Sequence, residues 1–276
     1  MTATIAAPDF DFLRSFVHKR AAIVLDDGKE YLAVSRLEPI AREAGLASVS
    51  DLVAQLRQTH TSPLHSQVID AMTTNETSFF RDIRPYDSLR QHVLPELIER
   101  NRNQRNLSIW CAASSSGQEP YSVAMLIHDE FPELAGWRVS ILATDISPTM
   151  LERTRQGLYS QFEVNRGLPA KLLVTYFTRE GASWRIANEL RRMVRVQALN
   201  LAGPWPHLPP IDLVLLRNVL IYFDIETKQS ILGRARQVLG TDGLLLLGGS
   251  ETTINLDDRY ERIQHGAATW YRPTTA

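Results

Sequence analysis

The residues of this chain best suited to chemistry gather in a few short runs. Leu107–Leu126 reads LSIWCAASSSGQEPYSVAML: an apolar strand-like start at Ile109-Trp110-Cys111, small residues from Ala112 to Gly117, then an amphipathic helix. Strand, tight small-residue turn and helix together bring backbone N–H groups up to a nucleotide or nucleoside. A second strand-like run, Trp137 to Thr144, ends in Asp145, and a carboxylate at that place accepts hydrogen bonds from ribose hydroxyls. The turn lacks the G-x-G-x-x-G pattern, so it does not by itself specify a dinucleotide. In Met72–Asp82 (MTTNETSFFRD), polar residues precede an aromatic pair and an arginine. As a ligand loop, Asn75 and Thr77 donate to a bound polar group and Arg81 lies over the site. As a helix cap between two domains the same run is structural, with Arg81 paired to Asp82 or a neighbour. A third group follows the apolar run Ile211–Leu216: Arg217, Asn218 and Tyr222. Ligand sites of open α/β sheets lie at the carboxyl ends of strands, which is where these three fall.

Strand and helix alternate in the segments that carry these groups. Residues 9 to 72 read as helical: Phe10, Leu13, Phe16 and Val17 recur at helical spacing, and Asp26-Asp27-Gly28 marks a turn. A second helix closes near Gly45, beginning near or kinked at Pro39, and Ser50-Asp51 is expected to cap a third. Pro85 to Arg100 reads as a helix. Ser147-Pro148 starts another that ends near Gly157. Trp184-Arg185-Ile186 and Met193-Val194-Arg195-Val196 suggest short antiparallel strands, a hairpin interrupting the alternation near 175–198. Ile211–Leu216 is a strand buried on both faces of a parallel sheet, Gly240 to Gly243 a turn, Leu244–Leu247 another strand, and Thr269–Arg272 a last edge strand. This alternation points to a doubly wound α/β domain.

Composition narrows the function classes. The 276 residues carry a formal net charge of -1, without the basic excess of a nucleic-acid binder. No run reaches transmembrane length, and the amino terminus has no secretory leader pattern. Cys111, the one cysteine, permits no internal disulfide and reads as a small buried hydrophobe. Seven scattered histidines form no zinc pattern, and no G-x-S-x-G elbow suggests a serine hydrolase.

Taken together, TTNETSFFRD (73–82), IWCAASSSGQEPYSVAM (109–125), ATDIS (143–147), LNL (199–201), LLRNVLIYFD (215–224) and LLLLGGSET (244–252) resemble one family, the chemotaxis receptor methyltransferases. The resemblance implies a class I S-adenosylmethionine-dependent methyltransferase. Its fold would be a doubly wound, mostly parallel sheet (73–276), with an N-terminal helical receptor-docking domain (1–72) and a small antiparallel β sub-domain inserted near 175–198. It implies methyl transfer to glutamate side chains on the cytoplasmic domains of chemoreceptors, with S-adenosylhomocysteine as product and no metal. A cytoplasmic location is expected, with a receptor C-terminal tethering peptide as a further partner at the β sub-domain. On the same grounds Asn75, Thr77 and Arg81 would contact the cofactor, Glu119 its methionyl end and Asp145 its ribose. Asn200 and Leu201 would contact the adenine, Arg217 and Asn218 would line the amino-acid end, and Arg81 and Tyr222 would stand near the transferred methyl. The family's second helix usually carries several arginines that dock on the receptor. Here Arg36 and Arg42 remain, while Glu38, Pro39 and Ile40 take positions often basic in relatives. Two other readings stay open: a same-fold methyltransferase with another substrate, and a non-enzymatic module that senses S-adenosylmethionine and binds a partner.

Overall fold

Phe10, Leu13 and Val17 recur at the spacing of one helix face, and in the computed structural model they are the buried stripe of α1 (Ala7–Ala21). The structure describes residues 5–59 and 61–274. Met1–Thr4, part of the stretch read as lacking a leader, and His60 lie outside the described residues. Two compact units form: residues 5–74 with Tyr222–Thr227, and residues 75–221 with 228–274.

In the first unit α1 is followed by α2 (Glu30–Glu43), α3 (Val49–Gln58) and α4 (Pro63–Met72). Pro39 lies inside α2, which runs through it, and Gly45 just beyond adopts the left-handed conformation expected of it. Ser48, not Ser50, caps α3: its hydroxyl accepts from the Asp51 N–H at 3.1 Å. The helix starts one residue after that acceptor, so Ser50 is already helical. Arg36 donates to the carbonyls of Met72 (2.9 Å) and Thr73 (3.0 Å), tying α2 to the end of α4. Arg42 is exposed and lies 3.6 Å from Glu38 on the same helix. Tyr222–Thr227 joins this unit through an Ile23–Phe223 bridge and a Val24 N–H donated to the Tyr222 carbonyl at 2.9 Å. His18 Nε2 lies 2.8 Å from Asp224 Oδ2.

The second unit opens with α5 (Arg84–Ser88), one π-helical turn (Leu89–Val93) and α6 (Leu94–Asn101) in place of a single regular helix. Pro95 lacks the N–H that an unbroken α-ladder needs, and the wider turn just before it absorbs the mismatch. Then come β1 (Asn106–Ala112), α7 (Gln118–Glu130), β2 (Arg138–Asp145), α8 (Pro148–Gln156), β3 (Leu158–Ser160), α9 (Gln161–Val164) and α10 (Ala170–Tyr176). The chain continues through β4 (Phe177–Glu180), β5 (Ser183–Ile186), α11 (Asn188–Met193), β6 (Val194–Ala198), β7 (Ile211–Leu216), α12 (Ile225–Val238), β8 (Leu239–Leu247), β9 (Tyr260–His265) and β10 (Ala268–Pro273).

Seven strands form one sheet in the order β6-β2-β1-β7-β8-β10-β9, and three form a second in the order β3-β5-β4. β6, β2, β1, β7 and β8 run parallel, while β10 is antiparallel to both β8 and β9. Three local expectations are corrected. Val194–Ala198 pairs in parallel with β2 in the large sheet, so the small sheet is built from 158–186. Residues 240–243 are an irregularity within β8, where Ile211 faces Leu239 but Leu213 faces Leu244. Thr269–Arg272 lies inside the sheet, and β9 is the edge. Leu107, Ile109 and Cys111 of β1 pack in the same core as Val123, Ala124 and Ile127 of α7. Burial pushes the Cys111 thiol well above its usual range, as fits a packing residue.

Candidate active site

The chain leaves β1 for β2 and β6 on one side and returns as β7 on the other, so strand order reverses between β1 and β7. Ligands of open α/β sheets bind in the crevice at such a point. The turn leaving β1 is wound through left-handed residues at Ala113 (φ 53°), Ser115 (φ 50°) and Gly117 (φ 91°). Two non-glycine residues in that region are strained, and the surrounding hydrogen bonds hold them there. The Ser114 N–H donates to the Thr144 carbonyl, and the Ser115 N–H to Asp145 Oδ2, both at 2.8 Å. The Ser115 hydroxyl donates to the Asn75 carbonyl at 2.8 Å, binding the 75–82 segment to the turn. A Cβ on Gly117 would stand 2.7 Å from Thr154 Cγ2, so both conformation and packing require glycine there. Asp145, buried at the end of β2, also accepts from the Ser147 N–H at 2.9 Å, which fixes its carboxylate.

Beside the turn lies a buried ion pair that joins the start of α7, the 75–82 segment and the loop after β7. Glu119 stands in the first turn of α7 and Arg217 directly after β7. Arg217 donates to Glu119 Oε2 (2.8 Å), to the Arg81 carbonyl (2.9 Å) and to Asp82 Oδ2 (3.0 Å). Burial pushes the Glu119 carboxyl above the usual carboxylate range, and the charge of Arg217 pulls against that shift. Phe80 (φ 47°) and Asp82 (φ 65°) are left-handed on either side of Arg81, so this segment too is held in a strained shape. The alternative pairing of Arg81 with Asp82 does not form. Asp82 faces Arg217, and Arg81 donates to the Glu76 carbonyl at 2.9 Å. Among the described residues no carboxylate lies within 4.0 Å of the Arg81 guanidinium.

The remaining residues singled out in the sequence fall as follows. Thr77 is half-buried in the 75–82 segment. Asn200 follows β6, and its side-chain oxygen accepts from the Ala202 N–H at 3.0 Å. Leu201 is buried, and its carbonyl accepts from Trp205 Nε1 (3.1 Å) and Arg234 (2.7 Å). Asn218 is left-handed (φ 58°) and half-buried. Tyr222 belongs to the first unit and is half-buried. The second unit thus brings Asn75, Arg81, Glu119, Asp145 and Arg217 into one connected set. Sequence reasoning gave no role to Glu251, whose carboxylate gathers the backbone of the loop after β7. Its position just beyond the paired glycines after β8 was the available signal.

The residues present fit an S-adenosylmethionine site. Among the described residues, the buried Ser114 hydroxyl and Arg217 Nε find no hydrogen-bond partner, so both can serve a polar ligand. Asp145 is a fixed carboxylate at the carboxyl end of β2, beside the turn that leaves β1. No group of three or more His, Cys, Asp or Glu among the described residues is arranged to hold a metal, and no described helix is long and apolar enough to cross a membrane.

Comparison with known proteins identifies the family. Residues 75–269 match the family model described as CheR methyltransferase, SAM binding domain, and residues 8–73 match CheR methyltransferase, all-alpha domain. Chemotaxis protein methyltransferase 1 of Pseudomonas aeruginosa is 43% identical over 274 residues, 97% of this chain and 98% of that protein. Chemotaxis protein methyltransferase Cher2 of Pseudomonas putida is 40% identical over 93% of this chain and 94% of its own length. The chemotaxis protein methyltransferase of Vibrio parahaemolyticus is 38% identical over 99% of both chains. With a nucleoside-type strand-end site and both family models spanning nearly the whole sequence, this chain belongs to the CheR methyltransferase family and is an S-adenosylmethionine-dependent methyltransferase.

Proposed function

We propose that this enzyme methylates glutamate side chains on the cytoplasmic domains of chemoreceptors, working in the cytoplasm and leaving S-adenosylhomocysteine as product. The observation that carries the reading is near-full-length similarity to several proteins named chemotaxis protein methyltransferases. Asp145 would hold the ribose, Asn200 and Leu201 the adenine, and Glu119, Arg217 and Asn218 the amino-acid end. Asn75 and Thr77 would complete the site from the 75–82 segment. Bound S-adenosylmethionine supplies an electrophilic methyl group on a sulfonium.

A glutamate side chain has an unperturbed pKa of about 4.3, so at neutral pH it is already the carboxylate nucleophile and needs no general base. What the protein must provide is alignment and exclusion of water. Arg81 is suited to alignment, because one N–H is committed to the Glu76 carbonyl and no carboxylate among the described residues lies within 4.0 Å of its guanidinium. It aligns the incoming glutamate without holding it so tightly that the nucleophile is blunted. The Tyr222 hydroxyl would donate to that carboxylate or line the path of the methyl.

A receptor's C-terminal tethering peptide would bind at the small sheet. β4 is an outer strand with Thr178, Arg179 and Glu180 exposed, an edge to which an extended peptide can add. On α2, Arg36 is already committed to main-chain carbonyls, which leaves Arg42 as that helix's exposed arginine. Steady-state methylation by Arg81→Ala and Tyr222→Phe tests the mechanism. Both should lose turnover while cofactor affinity is largely kept for Tyr222→Phe. Wild-type turnover in both, with affinity unchanged, would show that neither acts on the substrate.

A further inference from the structure

The loop that carries Arg217 and Asn218 is shaped by one carboxylate from a different strand end. Glu251 Oε1 accepts from the N–H groups of Val219 (2.9 Å) and Leu220 (2.7 Å), and Oε2 from those of Asn218 and Gly248 (both 2.7 Å). Four main-chain donors thus converge on two oxygens. Charge-assisted bonds of this kind are short and about twice as strong as neutral ones. They hold Asn218 at φ 58°, a left-handed conformation that asparagine tolerates better than other non-glycine residues. The fit around the carboxylate is tight. A Cβ on Gly248 would stand 2.6 Å from Glu251 Oε2 and 2.8 Å from both the Asn218 N and Nδ2.

We infer that Glu251 is a positioning residue for cofactor binding, the clamp that fixes the 217–220 backbone so that Arg217 and Asn218 present their side chains to the ligand. This rests on the proposed assignment of Arg217 and Asn218 to the amino-acid end of the cofactor. Glu251 itself need not touch the ligand. Its contribution lies in holding the loop in one conformation before binding, so that no ordering cost falls on the complex. An amide at position 251 keeps the size of the side chain but cannot accept on its nitrogen. Either the Val219 and Leu220 bonds or the Asn218 and Gly248 bonds then face an N–H₂ group.

The test is calorimetric titration of S-adenosylmethionine into full-length Glu251→Gln, with methylation kinetics and thermal melting on the same preparation. Gly248→Ala probes the same clamp from its other side, and Asp145→Ala reports separately on the cofactor site. Glu251→Gln and Gly248→Ala should each weaken cofactor binding at least tenfold and raise its KM in proportion. kcat at saturating cofactor should stay within about threefold, and both variants should remain folded at the assay temperature although their melting temperatures fall. Wild-type affinity in Glu251→Gln overturns the inference, as does a weakening explained by global loss of folding. Wild-type affinity in Asp145→Ala instead removes the assigned cofactor site, whatever the clamp variants do.

Discussion

Replacing Arg217 by methionine keeps a long unbranched side chain while removing the charge that faces Glu119 at 2.8 Å. The Arg217 side chain is 2% exposed and that of Glu119 12%, so the carboxylate left behind cannot recover its hydration in place. Removing one member of a buried pair costs about 3–5 kcal/mol. Asp82, the other carboxylate on Arg217, is 54% exposed and returns to water, so its loss adds little. The pH dependence follows from the direction of the Glu119 shift. Burial already holds its carboxyl above the usual range, and without Arg217 the shift grows. The folded variant then binds a proton that the unfolded chain has released, so its stability falls as pH rises through the folded pKa. The cost of Arg217→Met should therefore be largest at pH 8 and shrink at pH 5. Urea unfolding at the two pH values measures both, and Glu119→Gln added to Arg217→Met should recover much of the loss at pH 8. A loss below about 1 kcal/mol at pH 8, or an equal loss at both pH values, would mean that no buried charge is stranded at Glu119.

Asp145→Ala should weaken S-adenosylmethionine binding about 10- to 100-fold, the worth of hydrogen bonds to a charged group, with the fold retained by circular dichroism; unchanged calorimetric affinity contradicts this. Gly117→Ala forces a Cβ to within 2.7 Å of Thr154 Cγ2 at a φ of 91°, and should cost about 2 kcal/mol or more in thermal unfolding. Part of that loss should return when Thr154→Ala is added, and an unshifted melting curve in the single variant argues against the packing described. The hydrogen bond with His18 draws the Asp224 carboxyl down to about 2 from an ordinary 3.8. Its contribution is thus present above the ordinary value and lost as pH falls through about 2. Asp224→Asn should flatten the acid side of the stability profile by a small amount, since the pair is partly exposed; profiles that run parallel down to low pH would contradict it.

The parts of this protein legible in its sequence are those set by local pattern. The continuous apolar run of Ile211–Leu216 specified a strand covered on both faces, and β7 lies in the middle of the large sheet, between β1 and β8. Small residues after Trp110 and the acid ending Trp137–Asp145 marked two strand ends that hydrogen bonds now join, from Ser115 to Asp145. What could not be read depends on partners distant in the chain. Glu119 and Arg217 are 98 positions apart, and no periodicity announces that they pair. Val194–Ala198 has the alternation of a hairpin strand, yet β2 offers it a deeper, parallel edge. Glu251 looked like one polar residue after two glycines, because its function is to satisfy main-chain donors more than thirty positions away, between 218 and 220. Ser48 and Ser50 differ as caps only through which one ends outside the helix, a matter of one residue that spacing alone does not fix.

What would separate this enzyme from a same-fold methyltransferase with another substrate is the chemistry of the proposed product, an ester on a glutamate side chain. That bond is read by incubating the enzyme with methyl-tritiated S-adenosylmethionine and purified chemoreceptor cytoplasmic fragments from the same cell, then treating the washed protein with base. Volatile tritiated methanol released in proportion to the label incorporated, and lost with Arg81→Ala, is the result expected of a glutamyl ester. Label that stays on the protein through base treatment, or that never reaches the receptor fragments while the cofactor binds normally, would contradict it.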